Sequence, residues 1–291
     1  MIAIVFKEGV NVLRRMKRNT INLISVYLLY VFLAMITIGP FIFLLSTSLK
    51  GPTENLMRFP PHIIPQQPTL QNYIKVFDTV PIFTYFLNST IVAAFVIFLQ
   101  LVISSMAAYP LARMEFKGKA AIFLLIISTM FIPAEVTMIP IYVIITKYLQ
   151  LKNSLLGLIL QGAVGAFGVF LMRQAFLSVP KELDEAAIID GCGSFRIFTK
   201  ILLPVVRPSL GALAIFIFIG SWNSFLFPLL LLEKAELYTL PIGLLNLQGT
   251  FSTDVRLVSA GSAIALVPIL VVFISMQKYF MGGMTAGAVK G

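Results

Sequence analysis

The sequence predicts an all-α polytopic membrane protein with six transmembrane helices. Three observations lead there. The 291 residues are 58% apolar and 12% charged, with a mean hydropathy of +0.95. A soluble domain carries about 25% charged residues. Charge-free or nearly charge-free gaps recur six times, each reaching the roughly 17–25 residues that cross a hydrocarbon core. Backbone groups in lipid must be satisfied within their own segment, so each gap is expected to be a helix. The expected spans are about 21–48, 82–110, 118–140, 154–175, 209–231 and 257–278.

The first span follows a basic stretch, Lys7 to Arg18, that resembles the start of a secretory signal. The apolar run after it is far longer than the 7–15 residues of a cleavable signal. Residues 1–20 are therefore expected as a cytoplasmic tail before an uncleaved first helix. The loop from Lys50 to Pro81 holds six prolines and is expected to be an ordered, irregular cap. The second span, Thr79 to Ala112, is free of charge. The third contains Glu135 and is broken by Pro133 and Pro140. A charge at bilayer centre costs about 2.5–3.5 kcal/mol on insertion scales. The helix is therefore expected to end between Met130 and Ala134, with Glu135 at the outer interface and residues 138–149 lying along the surface. The fourth span carries Gly162, Gly165 and Gly168 at threefold spacing, a face for close helix packing.

With the N-terminus inside, fifteen of the 22 lysines and arginines fall in cytoplasmic segments, and both termini lie inside. The net charge of +10 is thereby a topology signal, not a nucleic-acid footprint. One cysteine and one histidine exclude a disulfide framework and argue against metal chemistry or a Ser-His or Cys-His nucleophile. No cofactor, no metal and no catalytic residue is expected.

The polar segment between the fourth and fifth spans, 177–208, is the most informative. It reads Glu185-Ala186-Ala187, three residues, Gly191, nine residues, Ile201, one residue, then Leu203-Pro204. Ser178 is expected to cap a helix running from about 179 to 190, with Glu182, Asp184 and Glu185 near its positive end. Gly191 and Gly193 supply a break, and Ser194 a cap for a second short helix ending before Pro204. The small Ala186 and Ala187 permit close approach. Leu183 with Ile188 or Ile189 offers apolar anchors for a groove, and Asp184 and Glu185 offer charge for a partner arginine. The contact set is Leu183, Asp184, Glu185, Ala186, Ala187, Asp190, Gly191, Ile201, Leu203 and Pro204.

This spacing resembles the cytoplasmic coupling loop of ABC importer permeases. Pro68-Thr69-Leu70-Gln71-Asn72-Tyr73, Trp222-Asn223-Ser224-Phe225-Leu226-Phe227-Pro228-Leu229 and the end, Gln277-Lys278-Tyr279-Phe280 with 284–291, extend the resemblance. They point to the carbohydrate branch, the maltose-importer-type second permease with its type I importer fold. The resemblance implies a second homologous permease, two cytoplasmic ATPase subunits and an extracytoplasmic solute-binding protein, in a bacterial or archaeal cytoplasmic membrane. It also implies that the tail 281–291 reaches the ATPases. No phosphate loop is present, so ATP hydrolysis falls to a partner, and the chain is a transport subunit, not an enzyme. Solute-path candidates are the polar residues that lipid would penalise: Asn88, Ser89, Gln100, Ser104, Trp222 and Asn223, with Tyr109 as a further aromatic. Two alternatives stay open: a permease for a non-sugar solute such as glycerol phosphate or an amino acid, and an ion-coupled secondary transporter.

Overall fold

The computed structural model describes residues 2–56, 58–60, 62–248 and 254–285. The tail residues 286–291 lie outside that set. Fourteen α-helices carry the described chain, joined by short 3-10 and π-helical turns; among the described residues the only β pairing is an isolated bridge, Lys50 to Pro68. Among the described residues three helices are long and apolar enough to cross a membrane, and three further pairs meet the same test together across a bend, giving up to six spans.

Two compact units share the chain. The first comprises 1–75 and 255–263. Its α1 (Ile2–Ser48) is one helix, so the backbone of the expected tail continues into the first span. The side chains of Leu28, Tyr30, Phe32 and Met35 are uncovered, as apolar groups are in a chain dissolved in lipid. The following loop is stitched by buried polar groups. Asn72 Nδ2, in α2 (Gln71–Thr79), donates to Ser48 O at 2.8 Å and Lys50 O at 2.9 Å, and Tyr73 OH meets Ser48 Oγ at 2.7 Å. The Leu-Gln-Asn-Tyr segment thereby satisfies carbonyls left open at the end of α1, which is a structural reason for its presence. Lys50 is buried beside Glu54, whose second carboxylate oxygen accepts from Gln66 N at 3.2 Å.

The second unit comprises 76–254 and 264–291. Its central helix is α3 (Ile82–Arg113). Helix α4 (Lys119–Ser128) runs through a 3-10 turn to Phe131, then turns by 102° at Ile132-Pro133 into α5 (Ala134–Val143), with a π-helical turn to Tyr148. Glu135 thus stands in the first turn of α5. Pro133 is responsible: it biases Ile132 to extended backbone (ψ 119) and cannot continue the ladder.

Helices α6 (Leu155–Gly162) and α7 (Ala166–Ser178) are separated by a 45° break at 163–165. The three glycines pack on one row of α3. A Cβ on Gly162 would lie 2.9 Å from Val96 Cγ2, one on Gly165 would strike the Gln100 amide, and one on Gly168 would strike Ser104 Oγ. The close-packing face read from the sequence is therefore real, although Gly162 ends one helix and Gly165 precedes the next. A Gly168→Val change is expected to cost about 1–3 kcal/mol by overpacking, read as a lower thermal midpoint of the detergent-solubilised chain. An unchanged midpoint would show that the helices can part freely.

After α8 (Glu182–Ile189) come α9 (Ser194–Arg196), a π-helical turn, and α10 (Leu203–Val205). A 77° bend then leads into α11 (Arg207–Trp222). The fifth apolar stretch breaks at 223–225 before α12 (Leu226–Leu231). Short α13 (Leu240–Gly243) and the long α14 (Val255–Thr285) complete the chain.

Outside the apolar stretches, Asn153 takes φ +54, and its side-chain oxygen accepts from the Glu233 and Lys234 amides, while Lys152 Nζ meets Glu233 Oε1 at 2.5 Å. The bond to Lys152, then that to Asn153, holds the Glu233 carboxyl below the usual carboxylate range, and the same contact raises Lys152. A lowered acid stabilises above its ordinary value and ceases to as pH falls through the lowered one. This clasp is expected to hold at neutral pH and to loosen in acid. Amide exchange at Glu233 and Lys234, corrected for intrinsic rates, checks it; protection unchanged at low pH would contradict it.

Candidate functional site

Two constructions stand out in the second unit. The first is the elbow formed by 179–205. Pro180 biases Val179 to extended backbone (ψ 134), so α8 begins only at Glu182, and Ser178 donates back to Ala175 O instead of capping it. The other end of α8 matches the expectation closely. Gly191 takes φ +78, its amide donates to Ile188 O at 3.0 Å, and the Cys192 amide donates to Ala187 O at 2.9 Å. This paired closure needs a left-handed residue at the glycine position, which explains Gly191 four residues after Ala187. Ser194 lies inside the next helical turn, behind an extended Gly193, and makes no cap bond. That helix does not stop before Pro204. The π-helical turn Ile197–Leu202 carries it past the proline, whose missing N–H would interrupt an α-helical ladder.

One side of α8 faces its own chain. Ala187 is buried, and Asp184 Oδ2 lies 3.4 Å from Arg113 Nε at the end of α3. Arg113 also donates from Nη2 to Val179 O at 2.6 Å. Tyr109, one turn earlier, donates its OH to Ser194 O at 3.1 Å and packs with its ring centroid 5.1 Å from that of Phe198. The structure thus sets Asp184 and Tyr109 to hold the elbow. The other side is open: Glu185, Ala186 and Asp190 are exposed, Ile188 and Ile189 are 62% and 86% exposed, and Phe195 74%. Leu183 is at the edge, and Ile201, Leu203 and Pro204 are partly covered. Arg113, which in the sequence counts only as a topology charge, is the elbow's anchor. Its signal was a cation flush with the end of an apolar span.

The second construction is a cavity of about 320 Å³ between α3, the α6–α7 break and the α11–α12 break. Helix interruptions at membrane depth leave backbone groups that lipid cannot satisfy, and they are tolerated where they line a cavity. Ser89, Gln100, Gln161, Ser221, Ser224 and Thr239 bring polar groups to it. Of the solute-path candidates, Ser89 and Gln100 line this space; the other four lie elsewhere. Asn88 Nδ2 is spent on Glu236 O and Tyr238 O. Ser104 is buried under Gly168. Trp222 is buried, its ring stacked on Phe218, with Nε1 donating to Ala265 O at 3.2 Å. Asn223 closes its own helix by donating to Ile219 O. Gln161 and Thr239 were missed. Gln161 stood out as an amide in an apolar run; nothing local marks Thr239.

Among the described residues no three His, Cys, Asp or Glu gather as a metal site. A family model described as "Binding-protein-dependent transport system inner membrane component" matches residues 100–285. The arabinooligosaccharides transport system permease protein AraQ of Halalkalibacterium halodurans is 41% identical over 95% of this chain and 100% of its own. The protein of the same name in Bacillus subtilis is 37% identical over 96% of this chain and 100% of its own. A bacterial ABC transporter subunit, from a structure described as importing the acidic polysaccharide alginate, superposes with a TM-score of 0.79 at 23% identity, over 90% of this chain and 97% of that one, and so shares the fold. The chain is an integral membrane protein and belongs to the family of binding-protein-dependent transport system inner membrane components, the permeases of ABC importers.

Proposed function

We propose that this chain forms half of the solute pathway of a sugar or oligosaccharide importer and couples it, through the elbow at 182–204, to a separate pair of ATPases. The observation that carries the proposal is the elbow's two-sidedness. One side is locked to α3 by Arg113 and Tyr109; on the other, Glu185, Ala186, Ile188 and Ile189 are exposed among the described residues. A rigid, apolar, acid-edged knob suits a groove on a partner. Closure of two nucleotide-bound ATPases around such knobs would move α3, and α3 also lines the cavity. The relatives' names support a sugar solute. The remaining partners follow from the family: a second permease and an extracytoplasmic solute-binding protein. The lysine and arginine distribution supports a cytoplasmic position for both termini and the elbow.

The test is uptake into vesicles holding the chain with its second permease and ATPases, and given the loaded binding protein. Solute accumulation is expected only with ATP on the elbow's side. Accumulation driven by a proton gradient with ATP removed would overturn the reading in favour of a secondary transporter.

A further inference from the structure

We propose that the cavity beside α3 is a subsite for one neutral, polyhydroxylated glycosyl unit, bound by Thr239, Gln100, Gln161 and Ser221 against the paired rings of Phe167 and Phe216. It deepens, and rests on, the importer reading above.

Three observations carry it. First, none of the sixteen lining residues is ionisable. A carboxylate, phosphate or ammonium entering this space would leave water without a counter-charge, at a cost of several kcal/mol. Glycerol phosphate and amino acids do not suit it, whereas sugar hydroxyls do. Second, Thr239 holds an uncommitted hydroxyl. The residue stands at the start of α13, where a threonine ordinarily caps the helix. Here it makes no cap bond: Pro241, at the second helical position, has no N–H to give, Ser89 Oγ accepts from the Leu240 amide at 2.8 Å, and Thr239 Oγ1, in a residue of the cavity wall, is buried without a hydrogen-bond partner. An unmet buried hydroxyl costs about 1–3 kcal/mol, so retaining one in a residue of the cavity wall is understandable where a solute that enters shifts the packing around it and bonds to it. Third, Phe167 and Phe216 meet edge to face at 5.5 Å and both line the space. They supply the apolar faces that the C–H surface of a pyranose or furanose requires. The volume stands at the low end of small-molecule sites, about 300–1,000 Å³. One ring fits, and an oligosaccharide extends beyond this subunit.

The experiment uses the assembled importer in vesicles with saturating loaded binding protein. It compares the wild type with Thr239→Val and Gln161→Leu, following uptake and ATP hydrolysis together. The neutral probes are arabinotriose, maltose and raffinose; the anionic ones are galacturonate and glycerol 3-phosphate. Thr239→Val removes only the unpartnered hydroxyl. As a structural change it is neutral or stabilising; as a loss of a solute contact it is expected to lower maximal uptake of a neutral probe about threefold to tenfold. Binding-protein-stimulated ATP hydrolysis should persist. Wild-type uptake in both variants overturns the subsite while leaving the importer reading intact, and so does anion uptake matching that of the neutral sugars. Hydrolysis without uptake of any neutral probe counts against it too. Absence of ATP-dependent transport altogether defeats the importer reading first.

Discussion

A Glu185→Lys, Ile189→Asp double variant is expected to insert and fold as the wild type does, yet to lose uptake. Both side chains are exposed among the described residues. Surface changes of this kind usually stay within about ±0.5 kcal/mol of stability. At the centre of a docked interface the same changes bury a reversed charge and a new carboxylate. Removing one interface anchor costs about 2 kcal/mol or more, so two together should weaken ATPase docking by at least about thirtyfold. Co-purification of the ATPase subunits and the thermal midpoint of the permease separate the two effects. A variant that retains its ATPases and its uptake would remove the coupling role from this face.

The second large effect is expected at Arg113. Its side chain is 5% exposed, paired with Asp184 and bonded to Val179 O. Arg113→Glu sets two carboxylates side by side in a largely dry place. Breaking such a pair costs about 3–5 kcal/mol, enough to release α8 from α3. The expected phenotype is uncoupling: the elbow still binds the ATPases, hydrolysis continues, and solute no longer moves. The swap Arg113→Glu with Asp184→Arg restores the attraction but not the bond to Val179 O, so it should recover part of the uptake. Equal loss in the single and double variants would mean that the pair does not transmit the motion.

The six-helix architecture could be read from charge-free gaps because lipid imposes one rule on every spanning segment. The elbow could be read because its parts are local: a small-residue helix face, a glycine that must take positive φ, and prolines that begin or redirect helices. Where local rules compete, the sequence misled. Ser178 looked like a cap, but Pro180 forces an extended residue between it and α8. Pro204 looked like a stop, but a π-helical turn carries the chain past it.

The cavity was less legible because it is made by pairing across the fold. Gly165 stacking on Gln100, and Ser89 accepting from the amide that follows Thr239, join residues far apart in sequence. Trp222 and Asn223 suggested a sugar contact by type alone. Their ring and amide are spent inside the protein, while the break they introduce opens the space next to them.

The most direct measurement is labelling at position 189. In a Cys192→Ala background, Ile189→Cys gives a single thiol on the exposed face of α8. A membrane-impermeant maleimide should react with it in inside-out vesicles, fail to in intact cells, and lose access when the ATPase subunits are bound. Labelling from the outer side, or equal labelling with and without the ATPases, would contradict the account.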